Sequence, residues 1–438
     1  MKRIFSVFML LAALLTLCSC RRIDDAQLAA AFAWTAEFDY ADASRRISAA
    51  SGLAVTEEFL RDLGEEKAQF LVDCVKDNTF TDATWRKATG FTRNVISDIL
   101  GGKLNSDNIF DFGNNGTDSF TVSFVGDILL DHRYAPMVHA ANKGDVLGEC
   151  IDSRIVNHLK SSDIFLINHE FSTGSRGAPL KNKSWTFQAP ASDLDILKSM
   201  GADIVSLANN HVFDYGEEGF NDTLDNLKNA AIPYIGAGRN LDEAKRPCYF
   251  IINGCKVGIV AASRAEKVSF TPVATENSPG VMGTYDNTDF LEVIRNAKAD
   301  CDLLFVYVHW GTENSTVLEK AQTDGAREYI DAGADVVVGA HTHCLQGMEF
   351  YKGKPVIYSV GNFWFNSKTL DSCVMTFTVD GDMNVTTQLL PLKQKGCETT
   401  LLSEKEDARA LFDRVEAFEP QGVKISDDGI VTPKNQGE

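Results

Sequence analysis

Six short apolar runs, at residues 122–130, 164–167, 203–208, 257–262, 303–308 and 336–338, alternate with stretches whose apolar residues recur at helical spacing. The helical stretches lie at 192–200, 219–230, 290–299 and 321–332, and Ser192 with Asp195 fits a capping box for the first of them. Runs that are apolar throughout are strands buried on both faces, and the intervening helices supply the crossovers that parallel pairing needs. The pattern predicts an α/β domain with mostly parallel pairing. Further on, residues 348–359 read as a hairpin turning at Lys352-Gly353-Lys354, and 373–379 with 385–390 as a second pair turning at Asp380-Gly381-Asp382. The tail after about residue 422 is polar and reads as loose.

The residues at the strand ends point to chemistry. Asp127 follows Phe124-Val125-Gly126 within the first run, with Asp131 and His132 just beyond that run; Asn168-His169-Glu170 closes the second. Asn209-Asn210-His211 closes the third, with Asp214 behind it; His309 through Glu313 and His341-Thr342-His343 close the last two. Open α/β sheets bind ligands at the carboxyl ends of their strands, where the loops converge. Five of the eight histidines stand there, and imidazole, carboxylate and amide oxygen are donors suited to Zn, Mn or Fe. His341-x-His343 is the strongest pair, because alternate residues leaving a strand can address two adjacent metals. Strand alternation puts Asn168 and Glu170 on one face and turns His169 to the other, where it packs. Asp131 and His132 read as a solvated loop, and His139 and His158 as structural or exposed. Trp185 and Phe187, after Lys181 and Lys183, read as a packed strand with exposed lysines in preference to a substrate approach.

Acids outnumber bases by 61 to 42, for a net charge of −19, which disfavours binding to phosphate backbones and so to nucleic acid. An anionic substrate remains compatible, because a bound divalent cation reverses the local field. At the N-terminus, Lys2 and Arg3 precede an apolar run over residues 4–17, which ends in Leu17-Cys18-Ser19-Cys20. This looks like a bacterial lipobox: residues 1–19 form a lipoprotein signal, and Cys20 carries a diacylglyceryl group. The expectation is an exported chain held at the membrane of the cell envelope. Eight other cysteines are scattered without a CxxC; an exported chain could pair some, and Cys344 reads as a packed residue. Residues 23–101 read as helical, with Thr56 an N-cap, and 101–118 as a linker.

The ordered motifs Gly126-Asp127-Ile128-Leu129-Leu130, Asn168-x-Glu170, Ala208-Asn209-Asn210-His211, His309-Trp310-Gly311-x-Glu313 and Gly339-Ala340-His341-Thr342-His343 lead through Leu345-Gln346-Gly347 to Tyr358-Ser359-Val360-Gly361-Asn362-Phe363. Together they resemble the bacterial capsule-synthesis (poly-γ-glutamate, CapA-type) family, which is related to the calcineurin-like metallophosphatases. The resemblance covers about residues 120–365. It implies a four-layer α/β/β/α metallophosphatase-like sandwich over residues 118–395, after a helical region and linker at 20–117 and before an extension at 396–438.

The resemblance also implies two divalent metal ions. Asp127 would bind one, Glu170 would bridge with Asn168 as a rival, Asn210, His309 and His341 would complete the second, and His343 would return to the first. His211 would stand by the leaving group as general acid. The wider metallophosphatases commonly carry Asp-x-His in the first motif, where this chain has Asp127-Ile128-Leu129, so one ligand is missing unless Asp131 or His132 supplies it. The first metal site is therefore expected to be the weaker. Their last motif usually runs Gly-His-x-His, whereas Ala340 here separates Gly339 from His341. The resemblance implies one of two functions: a lipid-anchored hydrolase acting on a phosphoester or an anionic envelope polymer, or a non-catalytic assembly or polymer-binding factor on the same fold.

Overall fold

The computed structural model describes residues 38–434. It divides into two units, Met1–Thr84 and Trp85–Glu438. The first is helical among its described residues, with helices Tyr40–Ser51, Glu57–Leu63 and Glu65–Lys76. Leu60 on the second helix and Leu71 and Val72 on the third are buried, and the Thr56 hydroxyl accepts from Phe59 N at 3.1 Å as an N-cap. Cys20 and its expected lipobox lie outside the described residues.

The principal strands of the second unit are β1 (Ile109–Gly113), β2 (Phe120–Ile128), β3 (Ile164–His169) and β4 (Ile204–Ser206). They continue as β5 (Cys248–Ile252), β6 (Cys255–Ser263), β7 (Leu303–His309), β8 (Val336–Ala340) and β9 (Lys354–Ile357). Last come β10 (Asn362–Trp364), β11 (Leu370–Val379) and β12 (Val385–Lys395). One sheet has the order β1-β5-β6-β7-β8-β9, closed by Met348–Tyr351. The other runs through β12, β11, β2, β3 and β4, with β10 lying on β2. In each sheet the site-bearing strands are parallel: Ile259 and Val336 flank Phe305, and Val122 pairs Ile164.

Alternation along each strand builds the layers. Leu303, Phe305 and Tyr307 face the other sheet, where Phe305 lies 5.3 Å from Phe124 and 5.5 Å from Phe377 between ring centroids. Leu304, Val306 and Val308 face outward onto helices Thr288–Ala299 and Lys320–Ala332 through Phe290, Ile294 and Tyr329. On the second sheet Phe165, Ile167 and Val205 face helices Ser153–Ser161, Leu194–Ser199 and Gly216–Asn229 through Leu159, Leu197 and Phe220. The result is the four-layer α/β/β/α sandwich, with its deepest core between the sheets.

Three expectations change. Residues 109–113, expected as linker, form β1, which pairs in parallel with β5 because Ile109 and Phe110 pack against apolar neighbours. The tail expected to be loose supplies strands Val423–Ile425 and Ile430–Pro433, whose Val423, Ile425 and Val431 enter the core between the sheets. The Ser192–Asp195 capping box does not form: Ser192 sits in a 3-10 turn and the helix opens at Leu194. The eight cysteines of the described residues are all free thiols, and Cys344 stands half-buried.

Candidate metal centre

Strand parity carries the core between the sheets out to one rim. Ile164 and Leu166 face inward, and continuing every second residue puts Asn168 and Glu170 at that rim while His169 turns away. The inward face of β7 likewise ends in His309. On β8, Val336, Val338 and Ala340 face inward, so parity alone would send His341 outward. Its backbone instead takes φ 90°, and His343 takes φ 56°. Such left-handed backbone is costly for a residue with a Cβ and persists where the surroundings over-determine it. The turn brings His341 Nδ1 to 3.0 Å from His309 Nε2.

Two donor sets converge there, and Glu170 belongs to both. One is Asp127, Glu170 and His343; the other is Glu170, His309 and His341, and within each set the donor atoms lie within 4.8 Å of one another. Asn210 Oδ1 stands 2.8 Å from His309 Nε2, which places it against the second set. His343 Nδ1 is 3.1 Å from Asp127 Oδ2, and His309 Nε2 is 3.5 Å from Glu170 Oε1. Asn168, the rival for the bridge, donates from Nδ2 to Asp127 Oδ1 at 2.7 Å and to Glu170 Oε2 at 3.3 Å, so its amide hydrogens face the carboxylates and its role is to brace them.

The electrostatics fit a bound cation. Asp127 and Glu170 are both fully buried, and no lysine or arginine pairs with either among the described residues. Burial raises Asp127, but the hydrogen bond and charge of His343, with His309 and Asn168, hold it below the usual carboxylate range. Burial, then the Asp127 charge, push Glu170 well above its ordinary value. Glu170 Oε1 is buried without a hydrogen-bond partner. Burial keeps His309 neutral, with its pKa pushed down to about 3, and lowers His341 well below its ordinary value. Neutral imidazole nitrogens and an orphaned buried carboxylate oxygen are the complement of a divalent ion.

His211 lies beside this cluster. Its Nδ1 is 2.7 Å from Asp214 Oδ2, and the Phe187 ring covers it at 4.3 Å between centroids. Asp214 also accepts from Phe187 N at 2.7 Å and is ion-paired with Lys183 Nζ at 2.7 Å. Lys183 donates to the Asn210 carbonyl at 2.5 Å and pairs with Glu266 at 2.6 Å. Expected as an exposed lysine, it has a side chain only 4% exposed, because the Asn210 carbonyl and Glu266 accept from its ammonium and the Asp214 carboxylate lies beside it. Trp185 is exposed and Phe187 buried.

Neither rival for the missing first-motif ligand reaches the rim. Asp131, expected in a solvated loop, is buried and committed to Arg133 at 2.5 Å and to Gln188 N at 2.7 Å. His132 turns outward to Asp193 at 2.6 Å. His169 packs on Phe171 and bonds Thr173, and burial pushes its pKa down to about 3. His139 pairs with Glu398, and His158 lies 2.9 Å from the Thr376 hydroxyl. Asn362, for which sequence reasoning assigned no role, sits at the rim with Oδ1 2.8 Å from His343 Nδ1. The available signal was its position in Gly361-Asn362-Phe363 directly after an apolar run.

Comparison with known proteins identifies the family. The bacterial capsule synthesis protein family PGA_cap matches residues 121–367, more than half of the chain. The "PGA biosynthesis protein CapA" of Bacillus subtilis (strain 168) is 31% identical over 265 residues, covering 59% of this chain and 68% of that protein. The "Capsule biosynthesis protein CapA" of Bacillus anthracis is 29% identical over 285 residues, covering 63% and 67% respectively. The matched segment holds every residue of both donor sets as well as His211. This chain belongs to the bacterial capsule synthesis protein family PGA_cap.

Proposed function

We propose that the chain is a metal-dependent hydrolase of capsule or poly-γ-glutamate production, acting on a phosphoester or a related anionic bond at the cell envelope. The observation that carries this reading is the sharing of Glu170 between two buried donor sets. Asp127, Glu170 and His343 would hold one divalent ion, and Glu170, His309, His341 and Asn210 the other. Mn, Zn and Fe suit such donors. Bound there, a pair of divalent ions supplies Lewis acidity toward an anionic substrate and lowers the pKa of a water.

The remaining work falls to the chain itself. Asp214 accepts from His211 Nδ1, which fixes the ring and leaves Nε2 as the atom that holds or releases a proton. Protonated, His211 Nε2 can hand its proton to a departing oxygen or nitrogen. Phe187 lies against the ring and limits access of water to it. A lipid on Cys20 would keep the chain at the membrane, beside an anionic envelope polymer.

His211→Ala should lower turnover by about 10²–10⁴-fold while metal content stays unchanged. The assay is a metal-supplemented screen of phosphoesters and γ-glutamyl polymers, with elemental analysis of protein purified without chelator. Lost metal with intact activity would refute the role of His211. The absence of a histidine two residues after Asp127 favours the second reading, a polymer-binding or assembly factor, and near-zero bound metal in the natural chain would decide for it.

A further inference from the structure

We infer that Asn362 is a cation ligand of the pocket formed by Asp127, Glu170 and His343, donating through its amide oxygen. The inference rests on the metal-dependent reading above and adds a fourth donor group to its first site. β10 runs parallel to β2, with Asn362 opposite Asp127. That closeness depends on Gly126, where an added Cβ would stand 1.7 Å from the Gly361 carbonyl oxygen. The Asn362 carbonyl is tied down by the Ser372 hydroxyl, which donates to it. The side chain leaves this anchored backbone fully buried.

The donor atoms then decide between a structural amide and a ligand. Asn362 Oδ1 and Asp127 Oδ2 lie 2.8 and 3.1 Å from the same nitrogen, His343 Nδ1. That nitrogen carries at most one proton, so it cannot satisfy two oxygens with full hydrogen bonds. Ligands about 2.1 Å from a metal ion, at angles between octahedral and tetrahedral, stand roughly 3.0–3.4 Å apart. The two measured separations fall close to that spacing, so the three atoms can share one cation as readily as one proton. Meanwhile the Nδ2 end of the amide is buried with no partner. A residue kept only to hold His343 would carry that orphan with nothing to offset it, whereas an amide oxygen bound to a buried cation gains an interaction that does.

Among the described residues, none of the three candidates near the first motif competes for the position. Leu129, two residues beyond Asp127, is buried and apolar, Asp131 is engaged by Arg133, and His132 by Asp193. Among the described residues Asn362 is thus the neutral oxygen donor that completes a four-ligand set with Asp127, Glu170 and His343.

Manganese titration of the full chain tests this, read by calorimetry and by ions bound per chain after dialysis at fixed free Mn²⁺. The natural chain should bind two ions. Asn362→Ala should keep the ion of the His309 set and weaken the other at least tenfold. Asn362→Asp, which keeps an oxygen in place, should retain both, and it keeps the test valid should the alanine variant misfold. Two ions at unaltered affinity in Asn362→Ala, or loss of the first ion in Asn362→Asp, would overturn the assignment. A natural chain that binds no manganese would overturn the metal-dependent reading itself, and this assignment with it.

Discussion

Lys183 offers the sharpest test of how the rim is held together. Its ammonium is 2.7 Å from Asp214 Oδ1 and 2.6 Å from Glu266 Oε2, and it donates to the Asn210 carbonyl at 2.5 Å. Lys183→Met preserves length and apolar stem but removes the charge and all three contacts. Asp214, with a fully buried side chain, would lose its counter-ion while keeping the Phe187 N–H and His211. Glu266, 21% exposed, can return to water. Breaking a buried pair by removing one partner costs about 3–5 kcal/mol, because a charge stays behind uncompensated. The two remaining donors on Asp214 put this case at the lower end, about 3 kcal/mol. At about 2 °C per kcal/mol for a large unit, the melting temperature should fall by roughly 6 °C. Chemical denaturation of the single variants and of Lys183→Met/Asp214→Asn supplies the check, and the double variant should lose less than the sum by about 0.5–3 kcal/mol. A loss within 1 kcal/mol for Lys183→Met, the scale of an exposed pair, would refute the idea that this lysine neutralises a buried carboxylate.

Two further perturbations test the frame. Burial pushes the Asp203 carboxyl up to about 7, against the hydrogen bond from Phe165 N and with the Asp163 charge adding to it. The folded chain therefore binds this proton more tightly than the unfolded chain, so the stability this group contributes is fully present below about pH 4 and is lost as pH rises through about 7; with 1.36 kcal/mol per pH unit the span is on the order of 4 kcal/mol. Asp203→Asn should melt above the natural chain at pH 8 and match it near pH 4, and equal melting temperatures across that range would reject the assignment. Gly126→Ala drives a methyl onto the Gly361 carbonyl, where backbone cannot yield cheaply. It should cost at least the upper end of the 1–3 kcal/mol typical of overpacking, and manganese binding at the Asp127 set should weaken with it; a variant as stable as the natural chain would show that β10 is free to retreat.

The sequence made the scaffold readable because buried parallel strands advertise themselves as unbroken apolar runs, and Leu303–His309 and Val336–Ala340 are of that kind. Parity then sorted Asn168 and Glu170 from His169 without any coordinates. The same rule misleads at His341, where a left-handed residue re-aims the side chain, and backbone conformation of that sort leaves no mark in residue type. β1 was hidden because Ile109 and Phe110 gain their partners from β5, about 140 residues later in the chain. Lys183 was misjudged for a related reason. Lysine is read as exposed by default, and the three oxygens that bury it come from Asp214, Glu266 and Asn210, none of them a near neighbour in the chain.

Polar satisfaction separates frame from site within one rim. Asn209 uses its whole capacity: Nδ2 donates to Asn168 Oδ1 and the His169 carbonyl, while Oδ1 accepts from the His211 and Val212 N–H groups. Such a residue has nothing left to offer a ligand, and its place is to lock the end of β3 to the loop after β4. Glu170 Oε1 and Asn362 Nδ2 are the opposite case, with bonding capacity unspent in the buried cluster. An orphan alone is not sufficient, since His169 Nδ1 is also unpartnered but packs against Phe171, away from the rim. The discriminating property is unspent bonding capacity together with convergence on other metal-ligating groups, and Glu170 and Asn362 meet it where they converge on Asp127 and His343. Three successive residues therefore divide the labour by what they leave unsatisfied: Asn209 braces, Asn210 turns its amide oxygen to His309, and His211 keeps Nε2 free.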